Sequence, residues 1–328
     1  MNKKAKKPLL QRIWPVFVAV FAVVLMWAFY DSTLSDIWGG LGYIPSLEAE
    51  TMRDNLELTP RGKRIFNATR VALEDSDDFN EHCSSYDAEV TLLGCYVDGR
   101  VYVYNITDAK LKTANQVTTA HELLHAIWER LSDTEQEALK PLLMQVYRAN
   151  RNWFDDELEP YGAEDRTEEI YVRAGTKLAE LPEELEAHYA RYFRNRAQIV
   201  HYYEEYAAPF LELKFELEQL YDQITTMQAE IESARSEYLR ALMVLNQKIE
   251  LFNRCADMAG CFTNQTAFNT ERSAILAEQS ELEQTRDELN DKIEENNRRV
   301  ERYRTLQQSL GELNAAMNSN IEPTETLE

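Results

Sequence analysis

The sequence AHELLHAIWERL, residues 120–131, carries the strongest structural signal in the chain. Its apolar residues recur at helical spacing and predict one amphipathic helix with a buried face. His121 and His125 lie four residues apart, so both imidazoles share one face of this helix. Glu122 lies beside them. We expect the histidines to bind a metal ion and Glu122 to hold a water molecule. The alternative is a helix with two solvated or core histidines.

Two histidines make an incomplete catalytic zinc site, because such a site has three protein ligands and leaves a fourth position for water. Trp128 and Leu131 stand where a metzincin has its Gly and its third His, so a downstream carboxylate is favoured. The best stretch is TEEIYVRAGT, residues 167–176, which contains Glu168 and Glu169. The alternative for these two is a solvated acidic pair at a helix start, where acids favour the helix dipole.

These motifs resemble a zincin metallopeptidase of the gluzincin type, the thermolysin-like arrangement in which the third ligand is a Glu on a later helix. They are also similar to a group of bacterial membrane-anchored proteins with an AHELLHA helix, a Glu-rich segment ending in Gly-Thr, and a later Tyr-Ala-Arg-Tyr-Phe. The matching segments span residues 58 to about 200 and are LGCY 93–96, AHELLHA 120–126, EIYVRAGT 169–176 and YARYF 189–193.

The resemblance implies a Zn²⁺ ion bound by His121, His125 and Glu169, with Glu168 as the rival third ligand. Glu122 would be the general base that takes a proton from a zinc-activated water. Thermolysin's Asn-Glu-x-x-x-Asp pattern is absent, because Glu168 stands for Asn and Arg173 for Asp. This leaves the orientation of the first histidine open. The donor to the oxyanion is also open, and the candidates are Tyr171, Arg173, His188, Tyr189 and Tyr192.

The N-terminus has the composition of a membrane anchor. Residues 1–12 are basic and contain no acid, and residues 13–30 form an uncharged apolar stretch. At 1.5 Å a residue, 18 residues span about 27 Å, close to the thickness of a hydrocarbon core. The positive-inside rule then predicts a single-pass cytoplasmic-membrane protein with residues 1–12 inside and the rest periplasmic or extracellular. The alternative is a cleaved signal peptide.

The overall composition excludes some classes of protein. With 57 acidic and 35 basic residues the formal charge is −22, which disfavours nucleic acid as a partner. Only 10 Gly and 9 Pro in 328 residues predict a mainly α fold of two or three units.

Residues 31–57 are predicted to be a tether, and residues 58–206 a small α+β zincin-like domain. Two strands, 88–97 and 100–106, flank Asp98-Gly99 and predict a short antiparallel β-hairpin. The second strand lies just upstream of the motif, where zincins place an edge strand that can hold a peptide. Helices are predicted to begin at Pro60, with Ile65, Phe66, Val71 and Leu73 on one face, after Ser132 in a capping box with Glu135, and at Pro182 as a long helix.

Residues 207–316 are predicted to form a long antiparallel coiled-coil hairpin, and residues 317–328 a disordered tail. The first helix has the seam Leu213, Leu217, Leu220, Ile224, Met227, Ile231, Ala234, Tyr238, Leu242, Leu245, Ile249 and Phe252. The second has Ile275, Gln279, Leu282, Leu289, Ile293, Asn296, Val300, Tyr303, Leu306, Leu310 and Leu313. Each helix is expected to have about 45 residues.

Four cysteines fit an oxidising compartment, and we predict the disulfides Cys83–Cys95 and Cys255–Cys261. The alternative is four free or buried thiols.

Two functions follow from the sequence. The first is a membrane-anchored zinc metallopeptidase that acts on peptides or proteins outside the cytoplasmic membrane, with a protein partner at the hairpin. The second is a non-catalytic envelope adaptor with a structural or vestigial metal site.

Overall fold

A computed structural model describes residues 33–83, 93–159 and 166–319, together with positions 20 and 162. The chain forms two compact units, the first comprising Met1–Pro209 with Leu313–Glu328 and the second Phe210–Glu312. The predicted fold class is confirmed, because the protein is mainly helical with a small sheet and two long helices packed as a hairpin.

The helices of the first unit are short, and the described residues form one sheet of three strands. The helices are α1 (Thr33–Gly40), α2 (Leu47–Asn55), α3 (Pro60–Ala68), α4 (Ser76–His82), α5 (Ala114–Glu129), α6 (Asp133–Ala149), α7 (Arg151–Glu157), α8 (Arg166–Lys177) and α9 (Glu183–Tyr189). The strands are β1 (Ala72–Glu74), β2 (Gly94–Val97) and β3 (Arg100–Tyr104), and a 3₁₀ turn covers Ala109–Leu111.

Two helix starts follow the predicted capping chemistry. The Thr59 side chain accepts a hydrogen bond from the Gly62 backbone N–H, and Pro60 is the first residue of α3. Ser132 and Glu135 form a reciprocal capping box at the start of α6. Both predictions are confirmed.

The sheet has the strand order β1-β3-β2, with β2 antiparallel and β1 parallel to β3. The predicted hairpin is confirmed, and its turn residues Asp98 and Gly99 have φ values of 49° and 74°. Strand β3 is the central strand, so its backbone is paired on both sides. The prediction that it is an edge strand is therefore wrong, because β1 occupies its second edge.

Strand β1 was not predicted. Val71 and Leu73 are predicted to share a helical face with Ile65 and Phe66, and this is wrong because α3 ends at Ala68. Arg70 then adopts a φ of 50°, a left-handed turn that redirects the chain. Leu73 consequently pairs with Val103 of β3 in parallel register.

The segment predicted to be a tether, residues 31–57, contains α1 and α2. Ala49, Met52 and Leu56 are buried in the core of the first unit. On α1, the buried Asp36 carboxylate pairs with Arg130 Nε at 2.7 Å. Helix α2 thus contributes to the core, whereas α1 is held by its ion pair with Arg130 and by its contact with α3.

The long helix predicted from Pro182 is interrupted. Helix α9 ends at Tyr189, and the next helix, α10 (Arg196–Ala256), begins seven residues later. Between them the Thr59 N–H donates to the Tyr192 carbonyl at 2.9 Å, and the Arg194 N–H donates to the Glu57 carbonyl at 3.0 Å. These long-range backbone bonds use groups that a continuous helix would need, so this prediction is wrong.

The second unit contains most of α10 and most of α11 (Gln265–Met317), and the predicted antiparallel hairpin is confirmed. All the predicted seam positions on α10 are buried or partly buried, whereas Gln279 and Ile293 on α11 are exposed. Ion pairs join the helices, with Lys248 Nζ 2.6 Å from Glu278 Oε1. With 61 and 53 residues, both helices are longer than predicted.

Both predicted disulfides are present, with Cα–Cα distances of 6.0 Å for Cys83–Cys95 and 5.3 Å for Cys255–Cys261. Apart from Val20, the predicted anchor at residues 13–30 lies outside the described residues. So do residues 1–12, 88–92 and 320–328. Within the part of the chain that the structure describes, no helix has the length and apolarity needed to cross a bilayer.

Candidate metal centre

Helix α5 positions three of the four predicted site residues. Its register places His121 and His125 on one face, as their spacing predicts. The opposite side of the helix is anchored in the core by Leu123, Leu124 and Ile127, each of which has no exposed surface. A helix fixed in this way gives the two imidazoles a defined orientation.

Helix α8 brings the fourth residue to the same place. Glu169 lies in its first turn and is buried. The helices approach closely at Gly175, where a Cβ atom would lie 2.6 Å from Leu124 Cδ1 and 2.9 Å from Tyr189 Cε1. A larger residue at position 175 would have to displace the Leu124 or Tyr189 side chain, so the glycine lets α8 pack closely against both.

His121, His125 and Glu169 form a group that could hold a metal ion, with their ligand atoms all within 4.8 Å of one another. His125 Nε2 lies 3.3 Å from His121 Nε2 and 3.4 Å from Glu169 Oε1. A tetrahedral zinc ion with bonds of about 2.0–2.1 Å separates its ligands by about 3.3–3.4 Å. The two distances therefore fit two edges of such a tetrahedron, and the chemistry of the donors suits zinc.

Glu168 and Glu169, the two candidates for the third ligand, have different partners. Glu169 belongs to the convergent group, whereas Glu168 Oε1 lies 2.7 Å from His125 Nδ1. A carboxylate on the far nitrogen fixes the ring orientation of a metal-binding histidine and raises its basicity. The sequence identifies no group that orients His121, the first histidine. In the structure the carboxylate of Glu168 orients His125, the second histidine.

Arg173 lies one turn after Glu169 on α8, and its Nε is 3.1 Å from Glu169 Oε2. The other end of its guanidinium donates to Glu157 Oε2 at 2.7 Å. Lys177 Nζ donates to the same oxygen at 2.6 Å. Arg173 therefore holds one oxygen of Glu169 while the other, Oε1, faces the histidines.

Glu122 is buried against strand β2. A Cβ atom at Gly94 would lie 2.7 Å from Glu122 Cγ, 2.9 Å from Glu122 Oε1 and 2.6 Å from Thr118 Cγ2. Any larger residue at position 94 would have to displace the carboxylate of Glu122. The glycine thus defines the space in which this side chain lies.

The site shifts the pKa values of its titratable groups. Burial raises the pKa of Glu122 to about 7, and the negative charge of Glu169 adds to this shift. Burial lowers the pKa of His121 well below its usual value, so its imidazole is neutral. Burial also lowers the pKa of His125, but hydrogen bonds to Glu168 and Glu169 outweigh it and raise the pKa to about 10. A metal ion bound here would displace that proton.

Of the five predicted oxyanion donors, Arg173 is the one that contacts a candidate metal ligand, Glu169. The other four are packed together in the core. The Tyr171 hydroxyl lies 3.0 Å from His188 Nε2, and the Tyr189 hydroxyl donates to the Tyr171 carbonyl at 2.6 Å. The ring centroids of His188 and Tyr192 are 5.6 Å apart. These contacts account for the four side chains as a buried aromatic cluster.

Sequence reasoning did not find the roles of Gly94, Glu157, Glu168 and Arg173. Arg173 had a local signal, because it lies four residues after an acid on a predicted helix and so shares its face. Gly94 and Glu157 had none, because both reach the site through tertiary packing.

Comparisons with known protein families, with curated proteins and with solved structures find no match to this chain.

Proposed function

We propose that the protein is a zinc metallopeptidase, anchored in the cytoplasmic membrane, that hydrolyses peptide bonds in the periplasm or outside the cell. The observation that carries this proposal is the convergence of His121, His125 and Glu169 at the spacing of a tetrahedral zinc site, with Glu122 beside them. The two disulfides agree with an exported domain.

A zinc ion held by His121, His125 and Glu169 would lower the pKa of a bound water molecule and polarise a carbonyl group. Glu122 accepts the proton that the water loses as its oxygen adds to the carbonyl carbon. The C–N bond then breaks, and Glu122 returns the proton to the leaving amine. In the metal-free site burial raises the pKa of Glu122 to about 7, and a carboxylate with a raised pKa is a better proton acceptor than an ordinary one.

Strand β2 supports a peptide as the substrate. Among the described strands β2 is at an edge of the sheet, and its Gly94 lies against Glu122. An extended peptide would pair with this edge through main-chain hydrogen bonds. It would then pass beside the carboxylate of Glu122. We therefore assign to β2 the peptide-binding role that was expected of β3.

The test is a comparison of the wild type with Glu122→Gln, which keeps the side-chain shape but cannot accept a proton. We expect both proteins to bind one zinc ion, while the rate of peptide hydrolysis falls roughly 100-fold or more in the variant. The control is Glu129→Gln on the same helix, where the side chain is 65% exposed. Equal rates for the wild type and Glu122→Gln would contradict the proposal.

One observation favours the second candidate, an envelope adaptor that works through its hairpin. On α10 the large apolar side chains Leu239, Met243, Val244 and Leu251 are all exposed. They lie outside the predicted seam, so a binding partner could cover them. In this case the metal group would stabilise the first unit and Glu122→Gln would leave the cellular phenotype unchanged.

A further inference from the structure

A patch of exposed apolar side chains follows directly after the predicted membrane span. It consists of Ile37, Trp38, Leu41, Ile44 and Leu47, which we call the 37–47 patch. Their exposed fractions run from 46% at Ile37 to 88% at Ile44. Residues 37–47, IWGGLGYIPSL, include no Asp, Glu, Lys or Arg. A soluble surface in a chain of this charge would be expected to contain acids here.

The backbone beneath the 37–47 patch is fixed to the first unit. A Cβ atom at Gly40 would lie 3.3 Å from Asn67 Cβ, so the end of α1 packs directly on α3. The Tyr43 hydroxyl donates to the Val71 carbonyl at 2.6 Å. Together with the pair between Asp36 and Arg130, these contacts hold the segment in place. The apolar side chains are thus presented outward by a rigid support.

We infer that the 37–47 patch is seated in the interface of the bilayer that the predicted span at residues 13–30 crosses. This rests on the proposed anchor and does not depend on catalysis. Only Asp31 and Ser32 lie between Tyr30 and the start of α1, and so short a link extends to about 11 Å at most. The headgroup region beside a hydrocarbon core is about 5–8 Å thick. If residues 13–30 span the bilayer, α1 therefore begins within about 11 Å of the edge of the hydrocarbon core.

The chemistry of the 37–47 patch fits lipid better than a polar partner. Trp38 is 73% exposed, and tryptophan favours the boundary between acyl chains and headgroups. Beside the patch, Arg70 donates from its Nε to the Gly39 carbonyl at 3.3 Å and is itself exposed. A cation at this position suits the phosphate of a headgroup. An apolar surface with a cation at its border is typical of interfacial segments.

The test uses the full chain reconstituted in phosphatidylcholine vesicles with a nitroxide spin label at one introduced cysteine. Ile44→Cys reports on the 37–47 patch, and Ala22→Cys reports separately on the predicted span. Glu137→Cys on α6 is the water-exposed control, because its side chain is 68% exposed. Power saturation compares the accessibility of each label to oxygen, which enters lipid, with its accessibility to a water-soluble nickel chelate.

We expect the ratio of oxygen to nickel accessibility at position 44 to be several-fold higher than at position 137 and to approach that at position 22. A ratio at position 44 equal to the control, with position 22 in lipid, would overturn the inference while the anchor stands. Low accessibility to both reagents at position 44 would also overturn it, because a second copy or another protein would then cover the patch. A water-like position 22 would remove the anchor and the inference together. Peptide hydrolysis in the same vesicles is independent of all these outcomes.

Discussion

Glu168 and Glu169 are adjacent in sequence, yet their carboxylates act on opposite sides of His125. Glu169 Oε1 lies 3.4 Å from His125 Nε2, and Glu168 Oε1 lies 2.7 Å from His125 Nδ1.

We expect the Glu168→Gln variant to keep one bound zinc ion. The affinity of the site for zinc should fall roughly 10- to 100-fold, because His125 loses its orienting charge. Competition with a chelator measures this change. The control, Glu180→Gln, alters an exposed acid after α8. A Glu168→Gln variant that binds zinc as tightly as the wild type would contradict the assignment.

Gly94 gives a second prediction for a single residue. Gly94→Ala places a methyl group within 3 Å of both Glu122 and Thr118, so the carboxylate must move. We expect hydrolysis to fall on the order of 100-fold and the free energy of unfolding to fall by about 1–3 kcal/mol. Enzyme assays and denaturant unfolding measure the two effects.

Gly311→Ala is the matched control for Gly94→Ala. Position 311 is in helix α11, and no atom lies within 4 Å of the Cβ that would be added. This variant should keep its activity and gain about 0.5–1 kcal/mol of stability. If Gly94→Ala behaved in the same way, Glu122 would not be confined by β2.

At the scale of elements, helix α9 packs His188 against the core, and this predicts a pH dependence of stability. Burial lowers the pKa of His188 to about 4, and the positive charge of Arg191 adds to the shift. Between about pH 6.5 and pH 4 the unfolded chain therefore binds a proton that the folded protein does not. Stability must fall as the pH falls through this range. The groups facing His188 are Tyr171, Tyr189, Tyr192, Arg191, Glu135 and Arg61.

The matched variant is His188→Gln, which cannot take up this proton. Between about pH 7 and pH 4 the wild type should lose about 3 kcal/mol more stability than the variant, since each pKa unit corresponds to about 1.4 kcal/mol. Chemical unfolding at several pH values gives the two curves. Parallel curves would show that burial does not perturb His188.

The elements differ in how well the sequence predicts them. The seam of α10 is correct at every predicted position, because a heptad pattern is local and one partner helix satisfies it. The break between α9 and α10 could not be predicted, since residues 192–194 pair with a segment far away in sequence. Strand β1 was missed for another reason, because a three-residue strand has too few residues to show a period.

At the scale of the whole molecule, the two units allow the two proposed functions to be separated. Tyr206 donates from its hydroxyl to Met317 Sδ at 3.0 Å, so the chain ends that flank Phe210–Glu312 are close within the first unit. A short Gly-Ser linker can therefore replace the hairpin. A metallopeptidase should then cleave a small peptide at an unchanged rate while losing any partner that binds the hairpin. Loss of peptide hydrolysis in a folded deletion variant would contradict this separation.

The candidate site could be predicted from the sequence only in part. The positions of His121, Glu122 and His125 follow from helical geometry and were predicted directly. Glu169 came from a resemblance, and the structure places it beside the histidines because α8 packs against α5. The remaining contacts join segments that are distant in sequence. They depend on the packing of the whole first unit, which no local pattern specifies.

The proposed function depends on one divalent ion bound between two imidazoles of α5 and a carboxylate of α8. Anomalous diffraction at the zinc absorption edge, from crystals of the zinc-loaded protein, locates such an ion. We expect one peak about 2.0–2.2 Å from His121 Nε2, His125 Nε2 and Glu169 Oε1. Absence of a peak at this group in crystals that contain zinc, or a peak that Glu168 ligates in place of Glu169, would show that the site is wrongly assigned.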